Sequence, residues 1–200
     1  LWVLPLFRGI KPVMKLHQPW ALPTWLVYAT SSILLLLISG FIATPKTNFV
    51  VADFWRWMVV HMWAEAFFEV FTTVLIGYFM VLMGLVSKQA AIRVIYLATL
   101  LFLGSGLLGI SHNFYWNGKP VFTMALGSVF STLQVIPLIL LTLEAWRFSK
   151  LPKLLENGSR VNGDANKQFG FSEVFLFLLA VNFWNFFGAG VLGVIINLPI

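Results

Sequence analysis

The sequence predicts an all-α membrane protein, a polytopic transmembrane bundle of about five spanning helices. Three observations predict it. Sixty per cent of the 200 residues are hydrophobic and only 10% are charged, whereas a soluble domain is roughly 45–50% apolar and about 25% charged. The apolar residues fall into five runs, each long enough to supply the ~20 residues of a spanning helix. The basic residues sit in the gaps between those runs. So few charges cannot coat a water-facing surface, and a mean hydropathy of +0.89 fits lipid as the solvent.

Residues 1–24 come first. Pro5, Pro12, Pro19 and Pro23 interrupt any continuous helix there, because proline lacks the backbone donor and clashes with the preceding turn. This stretch is expected to be a loop connecting to a preceding helix. Residues 25–200 form the transmembrane part. Its first helix is expected from Trp25 to Ala43, ending before the loop around Pro45 and Asn48. The second starts near Asp53 as N-cap and runs to about Leu85, long enough to tilt or protrude. The third runs from about Ala90 to Ile110, and the fourth from after Pro120 to about Trp146. A polar stretch, 147–170, reads as a solvated loop, and the fifth helix follows from about Phe171 to Leu198.

Charge placement orients the helices. With the N-terminal segment inside, Arg8, Lys11, Lys15, Lys88, Arg93 and the five basic residues of 147–170 share one side, leaving Lys46, Arg56 and Lys119 outside. Ten of thirteen basic residues are then inside, as expected for a bacterial-type inner (cytoplasmic) membrane with 147–170 in the cytoplasm. The net charge of +6 therefore follows membrane topology, and no phosphate loop or basic-aromatic stripe points to nucleic acid. With no cysteine, disulfides, iron–sulfur clusters and thiol nucleophiles are excluded. The chain starts at Leu1 and stops at Ile200 directly after an apolar run, so it is expected to be an internal fragment of a longer protein.

An ionisable residue at membrane depth is costly and marks a functional site by default. The second helix carries His61, Glu65 and Glu69 at i, i+4, i+8, a spacing that places them along one face. Imidazole and carboxylate suit a divalent iron. A buried polar stripe that packs helices fits the same spacing equally well. His112, in Ile110-Ser111-His112-Asn113, lies at the outer end of the third helix, at a depth similar to His61 if the helices are neighbours. Two histidines and one carboxylate form a recognised iron ligand set with open positions. Gln134 lies mid-helix beside Pro137, which frees the carbonyl of Leu133 and kinks the helix. A buried amide there needs a partner, and an interhelical hydrogen bond is one reading. His17 reads as a solvated loop histidine. Gly188, Ala189, Gly190 and Gly193, between Asn182, Asn185 and Asn197, read as a close-packing surface.

The run Trp55-Arg56-Trp57-Met58-Val59-Val60-His61-Met62-Trp63-Ala64-Glu65-Ala66-Phe67-Phe68-Glu69-Val70-Phe71 resembles the catalytic subunit of quinol-type nitric oxide reductases, in the haem–copper oxidase superfamily. The resemblance continues through His112, Leu133–Pro137, Phe183-Trp184-Asn185-Phe186 and Asn197-Leu198-Pro199, covering most of 50–200. It implies that His61, Glu65 and His112 ligate a non-haem iron and that Glu69 is a nearby acid. Haem b, high-spin and low-spin, is implied too, with ligands outside this stretch. The stretch would carry the non-haem half of a binuclear site and be inactive alone.

Two positions depart from the reductase pattern. Asn113 stands where the family has a second adjacent histidine, and Gln134 where it has a glutamate. The same pair of exchanges resembles the nitric oxide dismutases, divergent relatives held to convert two NO to N2 and O2. The resemblance thus implies a dismutase with nitric oxide as substrate, Asn113 being a weak or absent ligand and Glu69 and Gln134 tuning the pocket. The implied partners are the lipid bilayer and the remaining helices of the same subunit. A reductase making nitrous oxide from NO with quinol as donor stays open, as does an ion-conducting transporter lined by His61, Glu65 and Glu69.

Overall fold

In the computed structural model the described residues are 3–14, 17–110, 113–114, 120–158 and 172–197, and none of them lies in a strand. Five helices are long and apolar enough to cross a membrane: Leu22–Ile42, Phe49–Leu82, Lys88–Gly106, Val121–Arg147 and Glu173–Ile195. They are called the first to fifth spans below. The chain is an integral, multi-pass membrane protein, and the expected all-α bundle is what forms.

Each boundary has a local cause. Helix α1 covers Val3–Ile10 and a 3-10 turn covers Lys11–Val13, both inside the stretch expected as a connecting loop. The prolines do break continuity, but only between short helical pieces. Helix α2, Leu22–Ser39, starts three residues earlier than the sequence reading, because Pro23 sits in its first turn, where no donor is needed. Helix α3 is Phe49–Glu65, and its N-cap is Asn48, not Asp53. Asn48 Oδ1 accepts from the Val50 backbone N–H at 3.0 Å, which satisfies an orphan donor one turn before Asp53.

After Glu65 the second span loosens into a π turn, Ala66–Phe71, before helix α4, Thr72–Leu82. The Thr72 N–H and Oγ1 both donate to the Phe67 carbonyl, the hydroxyl at 2.9 Å, so the widened turn keeps that acceptor paired. Helix α4 ends in a Schellman motif. Gly84 has φ +71°, while Leu85 N–H donates to Met80 O at 2.9 Å and Gly84 N–H to Val81 O at 3.1 Å. Ser87 then caps helix α5, Lys88–Leu108, by accepting from Ala90 N–H at 3.1 Å.

The fourth span is two helices. Helix α6, Val121–Leu133, stops at a turn over Gln134 and Val135, and helix α7, Ile136–Gly158, resumes with Pro137 in its first turn. The kink expected at Gln134 is therefore a full break. Helix α7 also runs through residues expected to begin the polar loop; the loop's remainder, 159–170, lies outside the described residues. Helix α8, Ser172–Asn185, leads into a second π turn, Phe186–Val191, and helix α9, Leu192–Asn197.

Consecutive spans pack side by side, with the third between the second and the fourth, and the fifth against the fourth. Close approach depends on glycine. A Cβ on Gly104 would meet Phe130 Cε1 at 2.5 Å, and one on Gly193 would meet Ser131 Cβ at 3.2 Å. The fifth span is the least covered, with Phe177 75% and Trp184 71% exposed. Apolar residues there suit lipid or further helices.

Gly104→Ala is expected to cost about 1–3 kcal/mol through overpacking against Phe130. Gly188→Ala, whose Cβ would meet nothing within 4 Å, is expected to be near neutral. Thermal unfolding of both variants in detergent checks the contrast.

Candidate metal centre

Glu65 lies sixteen residues into the second span, about 24 Å from its N-terminal end and near its middle. His61 is one turn earlier. Both are buried, at 8% and 4% exposure. Their i, i+4 spacing brings His61 Nε2 to 3.1 Å from Glu65 Oε1. The same nitrogen lies 3.3 Å from the Ser105 backbone oxygen, a carbonyl that also accepts from Gly109 N–H at the end of α5.

Ser105 is the residue the sequence reading missed. It is fully buried, and its hydroxyl lies 2.6 Å from Glu65 Oε2 and 3.1 Å from the Phe102 carbonyl. Gln134 Nε2 donates to the Ser105 hydroxyl and the amide also reaches the Glu65 carboxylate. The amide expected to need a partner thus has one, on the third span. A signal was present in the sequence: a serine between Gly104 and Gly106 in the middle of an apolar run. Gly109 completes the approach, since a Cβ there would meet Ser105 Cβ at 3.3 Å and His61 Cε1 at 3.9 Å.

The remaining sequence-predicted residues divide. Glu69 lies on the π turn, where the angular step changes, so spacing from His61 no longer implies a common stripe. Its Oε2 is buried without a hydrogen-bond partner among the described residues, and no group of three His, Asp or Glu is gathered among them. Asn113 Nδ2 is likewise buried and unpartnered among the described residues. Its neighbour Phe114 stacks on Phe54 at 5.6 Å and meets Trp57 edge-on at 6.5 Å. The 113–114 segment thus lies against the N-terminal half of α3, one to two turns from His61. His112 lies outside the described residues. His17 is exposed, as expected of a loop histidine.

The His61–Glu65 pair fits a divalent metal. Two atoms each about 2.0–2.2 Å from one ion, at right angles, are roughly 3 Å apart, close to the 3.1 Å seen between Nε2 and Oε1. Imidazole nitrogen and carboxylate oxygen are ligands that iron accepts.

All 200 residues match the family described as cytochrome c and quinol oxidase polypeptide I, and the chain belongs to it. That is an oxidoreductase family of membrane helical bundles. A nitric oxide reductase chain of Stutzerimonas stutzeri is 28% identical over 92 residues, which is 46% of this chain and 19% of that protein. The matched stretch therefore spans about a fifth of that relative's length.

Proposed function

We propose that this chain carries the non-haem half of a nitric oxide–converting centre, and that the reaction is dismutation of two NO to N2 and O2. The buried His61–Glu65 pair supports the reading best, its facing ligand atoms 3.1 Å apart in a chain similar to one from a nitric oxide reductase. His61 and Glu65 would hold a divalent iron, with His112 as third ligand. Such an iron, together with a haem b held by other parts of the protein, would supply the redox chemistry when bound. Family membership does not favour an ion-conducting transporter.

The chain's own residues have separate tasks. His61 and Glu65 present one nitrogen and one oxygen from adjacent turns of a rigid helix. Ser105 and Gln134 hold the carboxylate from two other spans. Glu69, one turn further in, would stand as an acid beside the centre. Reduction of two NO to nitrous oxide and water takes two electrons and two protons, whereas dismutation takes none from outside. Gln134 is an amide in direct line to Glu65, and Asn113 replaces an expected imidazole; neither delivers protons. That is the observation favouring dismutation over the reductase alternative with quinol as donor. The proposed location is the inner membrane, with the basic inside loops in the cytoplasm.

In the intact protein, His61→Ala, Glu65→Ala and His112→Ala are each expected to lower non-haem iron at least about tenfold, measured by elemental analysis. Stoichiometric iron in all three would exclude this ligand set. Isotopically labelled NO given to anoxic membranes without a donor is expected to yield labelled N2 and O2 together by mass spectrometry. Nitrous oxide formed only after quinol is added would establish a reductase instead. Asn113→His combined with Gln134→Glu is expected to move the product toward nitrous oxide, and an unchanged product would free both positions from any role in selecting the reaction.

A further inference from the structure

We infer that Ser105 is the positioning residue that makes Glu65 a one-oxygen ligand, and that Gln134 acts on the centre largely by setting the direction of the Ser105 hydroxyl. The inference rests on His61 and Glu65 being the iron ligands. It starts from the two oxygens of one carboxylate, which have different partners. Oε1 faces His61 Nε2 at 3.1 Å. Oε2 is occupied by the Ser105 hydroxyl at 2.6 Å. An oxygen held by a short hydrogen bond is poorly placed to bind metal as well, so Oε1 alone is presented beside the imidazole.

The direction of the hydroxyl is what keeps this arrangement. A serine hydroxyl has one proton and accepts through its lone pairs. It has two acceptors in reach, Glu65 Oε2 at 2.6 Å and the Phe102 carbonyl at 3.1 Å. Gln134 Nε2 donates to the same oxygen. A donated N–H polarises the hydroxyl and strengthens the bond it gives onward. The line therefore runs one way, from amide to hydroxyl to carboxylate. A carboxylate at 134 would accept from Ser105 and compete with Glu65 for its single proton. Exchange of Gln134 by glutamate would then loosen the hold of Ser105 on Oε2, besides setting a second carboxylate against Glu65. Ser105 is fully buried, so its hydroxyl is shielded from bulk solvent.

The test uses the intact enzyme with carboxyl-labelled glutamate and infrared difference spectroscopy, the Glu65 bands being identified by their absence in Glu65→Gln. Wild type is expected to show the wide separation of antisymmetric and symmetric stretches that marks one-oxygen ligation. Ser105→Ala is expected to narrow it and to weaken iron binding about 10–100-fold. Ser105→Thr keeps the hydroxyl and is expected to restore the bands. Gln134→Leu is expected to shift them in the same direction by less. Ser105→Ala with Gln134→Leu is expected to weaken iron binding by less than the product of the single effects, as coupled residues do. Unmoved bands in Ser105→Ala, no restoration by Ser105→Thr, or independent losses in the double variant would each overturn the inference. If Ser105→Ala does not assemble, Ser105→Cys, similar in size but a far weaker donor, decides it, a shift supporting and no shift overturning. Absence of iron from wild type would sink the metal reading separately, while the Glu65 bands of the metal-free protein still report whether Ser105 holds Oε2.

Discussion

A hydrogen-bonded line from Gln134 through Ser105 to Glu65 joins the fourth, third and second spans at a depth where an unpaired polar group is costly. Everything polar at the centre is arranged around it. Its energetic balance shows what it is for. A charged side chain at mid-membrane costs about 2.5–3.5 kcal/mol on insertion scales, whereas an interhelical hydrogen bond contributes about 0.6 kcal/mol. Two such bonds do not offset one carboxylate, and Glu69 follows one turn later with an unpartnered oxygen among the described residues. Apolar side chains would pack these spans at lower cost. The polar groups therefore add little stability, which supports the chemistry proposed for them.

The line forms only because backbones come close. Gly104 brings the third span within reach of Phe130 on the fourth, and Gly106 and Gly109 bring it within reach of Met62 and His61 on the second. Gly190 and Gly193 do the same for the fifth span against Val135 and Ser131. Ser105 sits inside the first set, so its short side chain spans the gap that the glycines leave. A bulkier neighbour would push the second and third spans apart and leave Glu65 Oε2 without a donor. Packing and site chemistry are here the same constraint.

The bundle was legible because composition and run length report the solvent directly. The His61–Glu65 pair was legible because α-helical spacing is periodic, and Gln134 because an amide in an apolar run has to be partnered. What stayed hidden had physical reasons. Asn48 outcompeted Asp53 as the cap because either fits a helix start, and the choice depends on where the preceding turn ends. Glu69 was placed on the stripe because a π turn leaves no clear mark on the sequence. Ser105 gives no clear signal because serine donates to its own helix so readily, as Ser32 and Ser39 do here. Only the geometry brings its hydroxyl to a carboxylate on another span.

The π turn over Ala66–Phe71 has a consequence for how the family can vary. A widened turn amounts to one residue absorbed within a helix, and removing it would rotate the two halves of the span by about 100° relative to each other. His61 and Glu65 lie on the N-terminal half, and Thr72–Leu82 forms the C-terminal half. The two halves thus carry independent phases. A repacking of Thr72–Leu82, or a residue gained or lost there, would leave the heading of the His61–Glu65 half unchanged.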